Sequence, residues 1–184
     1  MKNWIQAFGY LAFLLIPGSA FAQDSQGQNN PNVIHWYSVE EAVALTQQAP
    51  RPIFIDVYTD WCGWCKRMDA TTFLDTTIAR TINTLYYPVK LDAEYKGDIQ
   101  VGNRTYTFVP QGRRGYNEIA AELLSGSMSY PSYAFINPDL SVITVVKGYQ
   151  DVGTLYPILL FIAEKKYENQ TWEDYLANFN LNKN

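Results

Sequence analysis

Apolar positions along the chain follow two different spacings, which divide it into predicted strands and helices. Alternating or continuous short apolar runs predict strands at 33–37, 53–58, 86–92, 132–136 and 141–146. Apolar residues three or four positions apart, together with capping residues, predict helices at 39–48, 62–71, 75–83, 115–124, 151–166 and 171–179. The strand–helix–strand order over 53–92 favours parallel pairing, and the short turn after 136 favours an antiparallel pair. The pattern therefore predicts an α/β fold with a mixed sheet.

A long connection follows the strand at 86–92. Residues 99–101 and 104–108 alternate across the two-residue turn Gly102–Asn103, which predicts a β-hairpin within an insertion of about 93–116. Two interpretations of its aromatic and basic side chains stay open, a partner-specific lip beside a cleft and a flap that only stabilises the fold. These side chains are Tyr106, Phe108, Arg113, Arg114 and Tyr116.

The first 22 residues have the three parts of a secretory signal. Lys2 supplies the positive charge, residues 4–16 are almost wholly apolar, and Ala20-Phe21-Ala22 fits a cleavage site. We expect cleavage after Ala22, and retention as a membrane anchor is the alternative, although the run is shorter than the about 20 residues that a spanning helix needs. Residues 23–32 are predicted to be a flexible lead-in, and 33–184 a single domain.

Composition excludes several kinds of function. The formal net charge of -4 provides no basic field for a phosphate backbone, so we expect no nucleic-acid partner. One histidine, His35, and two cysteines are too few for a structural zinc site, and no hydrolase motif is present. We therefore expect neither a metal nor an organic cofactor, and we interpret His35 as a strand residue.

The two cysteines, Cys62 and Cys65, lie at the start of a predicted helix, directly after the apolar strand 53–58. Side chains at this spacing share one helix face and can form a disulfide. A helix N-terminus favours negative charge, so we expect an exposed Cys62 thiol with a pKa below about 8.5. Cys62 would attack a disulfide and Cys65 would resolve the mixed disulfide. A structural bridge is the alternative, although closing a four-residue loop stabilises by only about 2 kcal/mol.

The segment 53–66, IFIDVYTDWCGWCK, resembles the thioredoxin superfamily, in which a strand with a buried acid leads into W-C-x-x-C-K and a helix. With Met68 and Phe73 it is similar to the thioredoxin-like proteins that include the C-terminal domain of the periplasmic thiol:disulfide interchange protein DsbD. The resemblance covers about 33–166. It implies a thioredoxin-like fold, with helices on both faces of a mixed central sheet. The β-hairpin insertion predicted at about 93–116 is longer than the ordinary connection of the family.

The resemblance implies roles for two charged residues. Asp56 stands where the family has a buried carboxylate behind the second cysteine. Burial should raise its pKa and let it exchange a proton with Cys65, whereas an acid satisfied locally at a strand end is the alternative. Lys90 stands where members often have a lysine near that acid, and solvation of a sheet edge would explain it equally well.

The resemblance also implies a substrate-binding surface around the cysteines. Tyr130-Pro131 matches the family's cis-proline, which would turn the Tyr130 backbone towards a substrate chain, although Pro131 could simply open an edge strand. Trp61, Gly63 and Trp64 flank Cys62 and are expected to contact the substrate, although a surface tryptophan could pack only on its neighbour. Trp64 replaces the proline of thioredoxin itself, so the redox direction stays open.

Together these features predict an exported thiol:disulfide oxidoreductase in a bacterial periplasm. Its expected partners are protein or peptide disulfides and a membrane electron donor, because exported thiols otherwise become oxidised. The alternative is a binding or assembly module that keeps the fold and holds a partner without turnover.

Overall fold

The computed structural model describes residues 30–181. The predicted signal sequence, its cleavage site after Ala22 and residues 23–29 lie outside the described residues. The end of the predicted flexible lead-in, residues 30–32, is instead held in a turn. Arg80 Nε donates a hydrogen bond to Asn32 Oδ1 at 2.7 Å, and Asn83 Nδ2 donates to the Pro31 carbonyl at 3.3 Å.

The described chain alternates helices and strands. In chain order the elements are α1 Val39–Gln48, β1 Ile53–Tyr58, α2 Gly63–Ala70, α3 Thr76–Leu85, β2 Tyr87–Asp92, β3 Ile99–Val101, β4 Arg104–Tyr106, β5 Phe108–Gln111, β6 Arg114–Asn117, α4 Glu118–Leu123, β7 Ser132–Ile136, β8 Val142–Lys147, α5 Val152–Ala163 and α6 Trp172–Leu181. Ser38 and Glu41 form the predicted capping box at the start of α1. Short 3₁₀ turns at Thr72–Leu74 and Lys166–Glu168 follow α2 and α5.

Four strands form the central sheet, in the order β2–β1–β7–β8. β1 and β2 are parallel, while β1–β7 and β7–β8 are antiparallel. The predicted α/β class and mixed sheet are therefore confirmed. In the centre of β1, Asp56 lies opposite Lys90 of β2 on one side and Tyr133 of β7 on the other.

Helices cover both faces of this sheet, as the resemblance implies. Alternate residues of β1 point to opposite faces. Ile53, Ile55 and Val57 pack with α1 and α4, whereas Phe54 packs with α2, α3 and α5. Full burial of a side chain as large as Phe54 stabilises the fold by roughly 1.5–3 kcal/mol, so this central strand is strongly held between the layers.

The predicted strand at 33–37 is wrong. Only Tyr37 forms an isolated parallel bridge, with Val89, and no strand precedes α1 in the described part of the chain. The His35 backbone N–H donates to the side chain of Asn83 at 3.0 Å instead of to a neighbouring strand. A side chain from α3 thus takes the place of a sheet partner.

The insertion contains two hairpins where the sequence predicts one. β3–β4 is the predicted hairpin, but Phe108 belongs to a second hairpin, β5–β6. The predicted helix at 115–124 is correspondingly too long, since residues 115–117 lie in β6 and Asn117 caps α4. A glycine is required at 115, because a Cβ atom there would contact the Phe108 ring and lie 2.5 Å from the Val109 carbonyl oxygen.

None of the helices between residues 30 and 181 combines the length and apolar character needed to cross a membrane.

Candidate active site

The two cysteines lie where the central strand passes into a helix. Cys62 is the N-cap of α2 and is bonded to Cys65 as a disulfide, with Cα atoms 5.3 Å apart. The Cys65 backbone N–H donates a hydrogen bond to Cys62 Sγ at 3.0 Å. When the disulfide is reduced, the same N–H and the helix N-terminus favour a thiolate at Cys62.

Cys62 is less accessible than the sequence analysis expects. It is only 5% exposed, because its sulfur is bonded to Cys65 and turned towards the start of α2. Its neighbours Trp61 and Trp64 are 51% and 59% exposed. At Gly63 an added Cβ atom would meet nothing within 4 Å. The residues around Cys62 are therefore open to solvent, although Cys62 itself is nearly covered.

Asp56 is a buried carboxyl group on the sheet face that α2 covers. It is 1% exposed, and Lys90 Nζ lies 3.3 Å from its Oδ2 atom. Its other oxygen, Oδ1, has no hydrogen-bond partner among residues 30–181. Burial raises the pKa of Asp56 to about 6, and the charge of Lys90 opposes part of that rise. This carboxyl group can therefore gain or lose a proton near neutral pH.

Lys90 connects the buried acid to α2. Its ammonium group pairs with both Asp56 and Asp69 and lies 5.2 Å above the rings of Trp36 and Tyr58. Lys90 therefore lies near the acid, as the resemblance implies, and it also belongs to the edge strand β2, where its side chain is 23% exposed. Sequence reasoning missed Asp69, although a signal exists, because a residue four positions after Cys65 shares its helix face.

Two further buried hydroxyl groups lack a partner in the described structure. They are Tyr133 Oη, on the strand position opposite Asp56, and Thr59 Oγ1, just after β1. Burial, with a smaller effect from Asp56, raises the pKa of Tyr133, so it stays a neutral phenol. Together with Asp56 Oδ1, these are buried polar atoms that no group within residues 30–181 satisfies.

Tyr130 and Pro131 lie beside Trp61, the residue before Cys62. The Tyr130–Pro131 peptide bond is cis, and the Tyr130 ring meets the Trp61 ring edge-on at 5.8 Å between centroids. Burial raises the pKa of the Tyr130 phenol to about 12. The Pro131 carbonyl accepts a hydrogen bond from Gly148 at 2.8 Å, whereas the backbone N–H and C=O of Tyr130 have no recorded partner within residues 30–181. That backbone is available to a bound chain.

Aromatic residues also border the disulfide on the side of Trp64. The Trp64 ring lies 5.5 Å from the ring of Tyr149, and the Arg67 guanidinium lies 5.9 Å from the Tyr149 centroid. Both tryptophans therefore pack on a neighbouring ring and still expose more than half of their surface. The site has an aromatic rim with basic groups beside it.

The predicted lip residues separate into two groups. Tyr106 lies in the first hairpin, is 7% exposed and packs into the core, so it cannot form a lip. Arg114, in the second hairpin, lies 4.3 Å above the Trp61 ring. Glu94 accepts a hydrogen bond from the Trp61 indole N–H at 3.0 Å. The structure thus brings the second hairpin, and not the first, to the cysteine motif.

Comparison with known proteins finds a matching family model, similar curated proteins and solved structures with a similar fold. The model of the Thioredox_DsbH family, described as "Protein of unknown function, DUF255", matches residues 22–151. A thiol:disulfide interchange protein DsbD of Vibrio vulnificus is 37% identical over 90 residues, which are 42% of this chain and 15% of that protein. The matched segment is 14% of the length of an uncharacterized protein of Caenorhabditis elegans, as it is 15% of the DsbD protein, so the chain spans a small part of these two relatives.

Two solved structures share the fold at low sequence identity. A thioredoxin from Thermus thermophilus has a TM-score of 0.53 and 17% identity, covering 70% of this chain and 86% of that one. A DsbH oxidoreductase has a TM-score of 0.51 and 19% identity, covering 72% and 85%. With the sheet order and the position of the cysteines, these matches establish that the chain has a thioredoxin-like fold and belongs to the Thioredox_DsbH (DUF255) family.

Proposed function

We propose that this chain is an exported thiol:disulfide oxidoreductase that reduces or exchanges disulfides in other proteins. One observation carries the proposal: Cys62 and Cys65 form a disulfide at the N-terminus of α2, with the Cys65 N–H directed at Cys62 Sγ. The similarity to a thiol:disulfide interchange protein, 37% identity over 90 residues, also supports the proposal. The buried acid beneath α2 supplies the proton chemistry that such a reaction needs.

The reaction begins with the reduced dithiol. The Cys62 thiolate attacks one sulfur of a substrate disulfide, which forms a mixed disulfide and releases the other substrate sulfur as a thiolate. Cys65 then loses its proton to the Asp56 carboxylate and attacks Cys62 Sγ. The second substrate sulfur leaves as a thiolate, and the Cys62–Cys65 disulfide forms. Two electrons pass to the substrate in each cycle.

The substrate chain docks beside Tyr130. Because the backbone N–H and C=O of Tyr130 have no recorded partner in the described structure, they can form strand-like hydrogen bonds with an extended peptide. Pro131 keeps this segment beside the motif, and Trp61, Gly63 and Trp64 contact the residues that flank the substrate sulfur. This arrangement provides affinity through backbone hydrogen bonds and leaves side-chain selection to the rim.

The proposed compartment is a bacterial periplasm, reached through a signal cleaved after Ala22. Support comes from the sequence pattern of the first 22 residues. In an oxidising compartment the dithiol has to be regenerated after each cycle, so a membrane electron donor is the proposed partner. No metal or organic cofactor takes part in the proposed reaction.

Turnover of a protein disulfide tests this proposal. Reduction of insulin by dithiothreitol is measured with the wild type, Cys62→Ser and Cys65→Ser. We expect Cys62→Ser to lose catalysis, because the attacking sulfur is absent. Cys65→Ser, reduced beforehand and freed of dithiothreitol, should accumulate a mixed disulfide with insulin that non-reducing gels and mass spectrometry detect. Catalysis that survives Cys62→Ser would contradict the assigned nucleophile. A folded wild type that holds partners without any turnover would support the binding-module alternative.

A further inference from the structure

Arg114 lies across the residue that precedes the reactive cysteine. Its guanidinium carbon is 4.3 Å from the centroid of the Trp61 ring, a distance at which a cation and an aromatic face attract each other. The Trp61 ring is also held by the indole hydrogen bond to Glu94 and by the edge-on contact with Tyr130. Arg114 is therefore part of the rim of the cysteine site.

The hairpin that carries Arg114 is anchored at its base. Asn117, at the end of β6, is fully buried, and its side chain donates hydrogen bonds to the carbonyls of Tyr95 and Gly97 at 3.2 and 3.1 Å. Its backbone N–H donates to the Ala93 carbonyl at 2.7 Å. These bonds tie the hairpin to the segment that follows β2. The position of Arg114 is thus set by the fold of the insertion.

The guanidinium of Arg114 still has unused hydrogen-bond donors. Its side chain is 56% exposed, and its ion pair with Glu94 is at 4.0 Å, the outer limit for such a contact. The same Glu94 oxygen already accepts the bond from Trp61. An arginine has five N–H donors in a planar fork that fits a carboxylate. A carboxylate arriving at the rim would find these donors free.

Charged groups of both signs surround the motif. On the Trp64 side the exposed residues Lys66 and Arg67 are basic as well. The nearest acid in sequence, Asp60, lies close enough to Asp92 to add to the effect of burial in raising the pKa of Asp92. Asp69 is already paired with Lys90. Glu94 and Asp92 lie close enough to Tyr130 to add to the effect of burial in raising its pKa, so the Trp61 side carries acids as well as Arg114. The preference therefore rests on the free N–H donors of Arg114 and not on the net charge of the rim.

We propose that Arg114 is a specificity residue that selects protein disulfides with an acidic side chain beside the reacting cysteine. The carboxylate of that side chain would bind the guanidinium fork while the neighbouring substrate residue packs on the Trp61 ring. This assignment deepens the proposed function and rests on it, since it names the class of disulfide that the Cys62–Cys65 pair accepts.

The test compares two synthetic peptides that contain the same intramolecular disulfide, flanked by aspartate in one and by lysine in the other. Initial rates of reduction give kcat/KM at low and high salt for the wild type, Arg114→Glu and Arg104→Glu. Arg104 is the matched control, because it lies over the ring of Tyr106 and pairs with Glu122 in the first hairpin. Both variants thus lose an arginine–aromatic contact and gain the same charge.

We expect the wild type and Arg104→Glu to prefer the aspartate peptide by about fivefold at low salt, the upper range for one exposed ion pair. Arg114→Glu should lose or reverse this preference, and high salt should weaken it in the wild type. Equal kcat/KM for both peptides in the wild type would overturn the assignment. So would an aspartate preference that Arg114→Glu leaves unchanged.

Two further measurements separate this assignment from the proposed function. Reduction of the small neutral disulfide bis(2-hydroxyethyl) disulfide reports the chemistry of the Cys62–Cys65 pair without a substrate carboxylate, and we expect the wild type and Arg104→Glu to reduce it at equal rates. Binding of serine-for-cysteine versions of both peptides to the oxidised proteins, followed by tryptophan fluorescence, reports the rim without turnover. Tighter binding of the aspartate peptide that depends on Arg114 supports the assignment even where turnover is absent. Absence of turnover would contradict only the proposed oxidoreductase function. Binding without preference overturns the assignment even where turnover is rapid.

Discussion

At the scale of single residues, the acid beneath the disulfide is held between opposing effects. Burial disfavours the charged form of Asp56, while the ammonium group of Lys90 favours it, and burial is the larger effect. Lys90 also pairs with Asp69, so its charge is shared between two carboxyl groups. The sequence predicts the buried acid and its raised pKa. It does not predict the three-residue group, because the contact of Lys90 with α2 depends on how the helix packs over the sheet.

The raised pKa of Asp56 predicts that this residue costs stability at neutral pH. The pKa of Asp56 rises from 3.8 to about 6 on folding, so proton binding by this carboxyl group stabilises the folded state. This contribution to the free energy of unfolding is complete below pH 3.8 and is lost as the pH rises through 6. At 1.36 kcal/mol per pH unit the loss is about 3 kcal/mol. Asp56→Asn should therefore raise the free energy of unfolding at pH 8 by up to about 3 kcal/mol and change it little at pH 3.5, as measured by urea denaturation of the oxidised protein.

Asp139→Asn is the matched control for this prediction. Asp139 is exposed, and its hydrogen bonds with Ser141 lower its pKa, so its loss should give no gain at pH 8. A gain for Asp56→Asn that is the same at pH 3.5 and pH 8 would show that ionisation is not the cause.

Tyr133 and Tyr86 predict contrasting effects of removing a buried hydroxyl group. Both tyrosines are almost fully buried, but only Tyr86 Oη has a partner, donating to the Leu159 carbonyl at 2.6 Å. Tyr86→Phe should lower the free energy of unfolding by about 1–2 kcal/mol, whereas Tyr133→Phe should be neutral or stabilising. Chemical denaturation of the two variants side by side measures the difference. Equal losses would mean that Tyr133 Oη is hydrogen-bonded, for example to a buried water shared with Asp56.

At the scale of elements, the sequence predicts the sheet and its covering helices better than the insertion. Apolar strands such as 53–58 and capped helices such as 39–48 have strong local patterns, and the structure confirms both. The segment 104–117 has no such contrast, because its few apolar residues lie among polar residues, glycines and a proline without one regular spacing. Asn117 was the available signal, since asparagine favours an N-cap position and so places the helix start after it.

Gly115 predicts how sensitive the second hairpin is to a single added atom. A Cβ atom at 115 would lie 2.5 Å from the Val109 carbonyl oxygen, which is backbone and cannot rotate away. Gly115→Ala should therefore lower the free energy of unfolding by about 1–3 kcal/mol and alter the fluorescence of Trp61, on which Arg114 rests.

Gly153→Ala is the matched control in α5. A Cβ atom there would make an ordinary contact of 3.5 Å with Asp151, and alanine favours helix, so this variant should be neutral or slightly stabilised. A Gly115→Ala protein as stable as the wild type would show that the hairpin can shift without cost.

At the scale of the whole molecule, the fold converts one local motif into a site by bringing distant segments to it. The cysteines and the buried acid come from one continuous segment, which is why the sequence identifies them. Tyr130, Glu94 and Arg114 reach the rim from three other parts of the chain. The resemblance supplies Tyr130, but no local pattern marks Glu94 as the partner of Trp61. Contacts that exist only after folding account for what sequence reasoning missed.

The whole-molecule prediction concerns where the chain acts and in which redox state it is found there. If the first 22 residues are a cleaved signal, the chain expressed in a bacterium with a periplasm should appear in the periplasmic fraction and begin at Gln23.

If a membrane donor regenerates the dithiol, acid quenching followed by thiol alkylation should reveal a doubly alkylated fraction, because reduced Cys62 and Cys65 each take one label. Deleting the host's membrane thiol donor should shift the chain to the unlabelled disulfide form, since the compartment is oxidising. Intact mass measures both the first residue and the labels. A membrane-bound chain that keeps residues 1–22 would establish the anchor alternative, and a labelled fraction unaffected by the deletion would contradict the proposed donor.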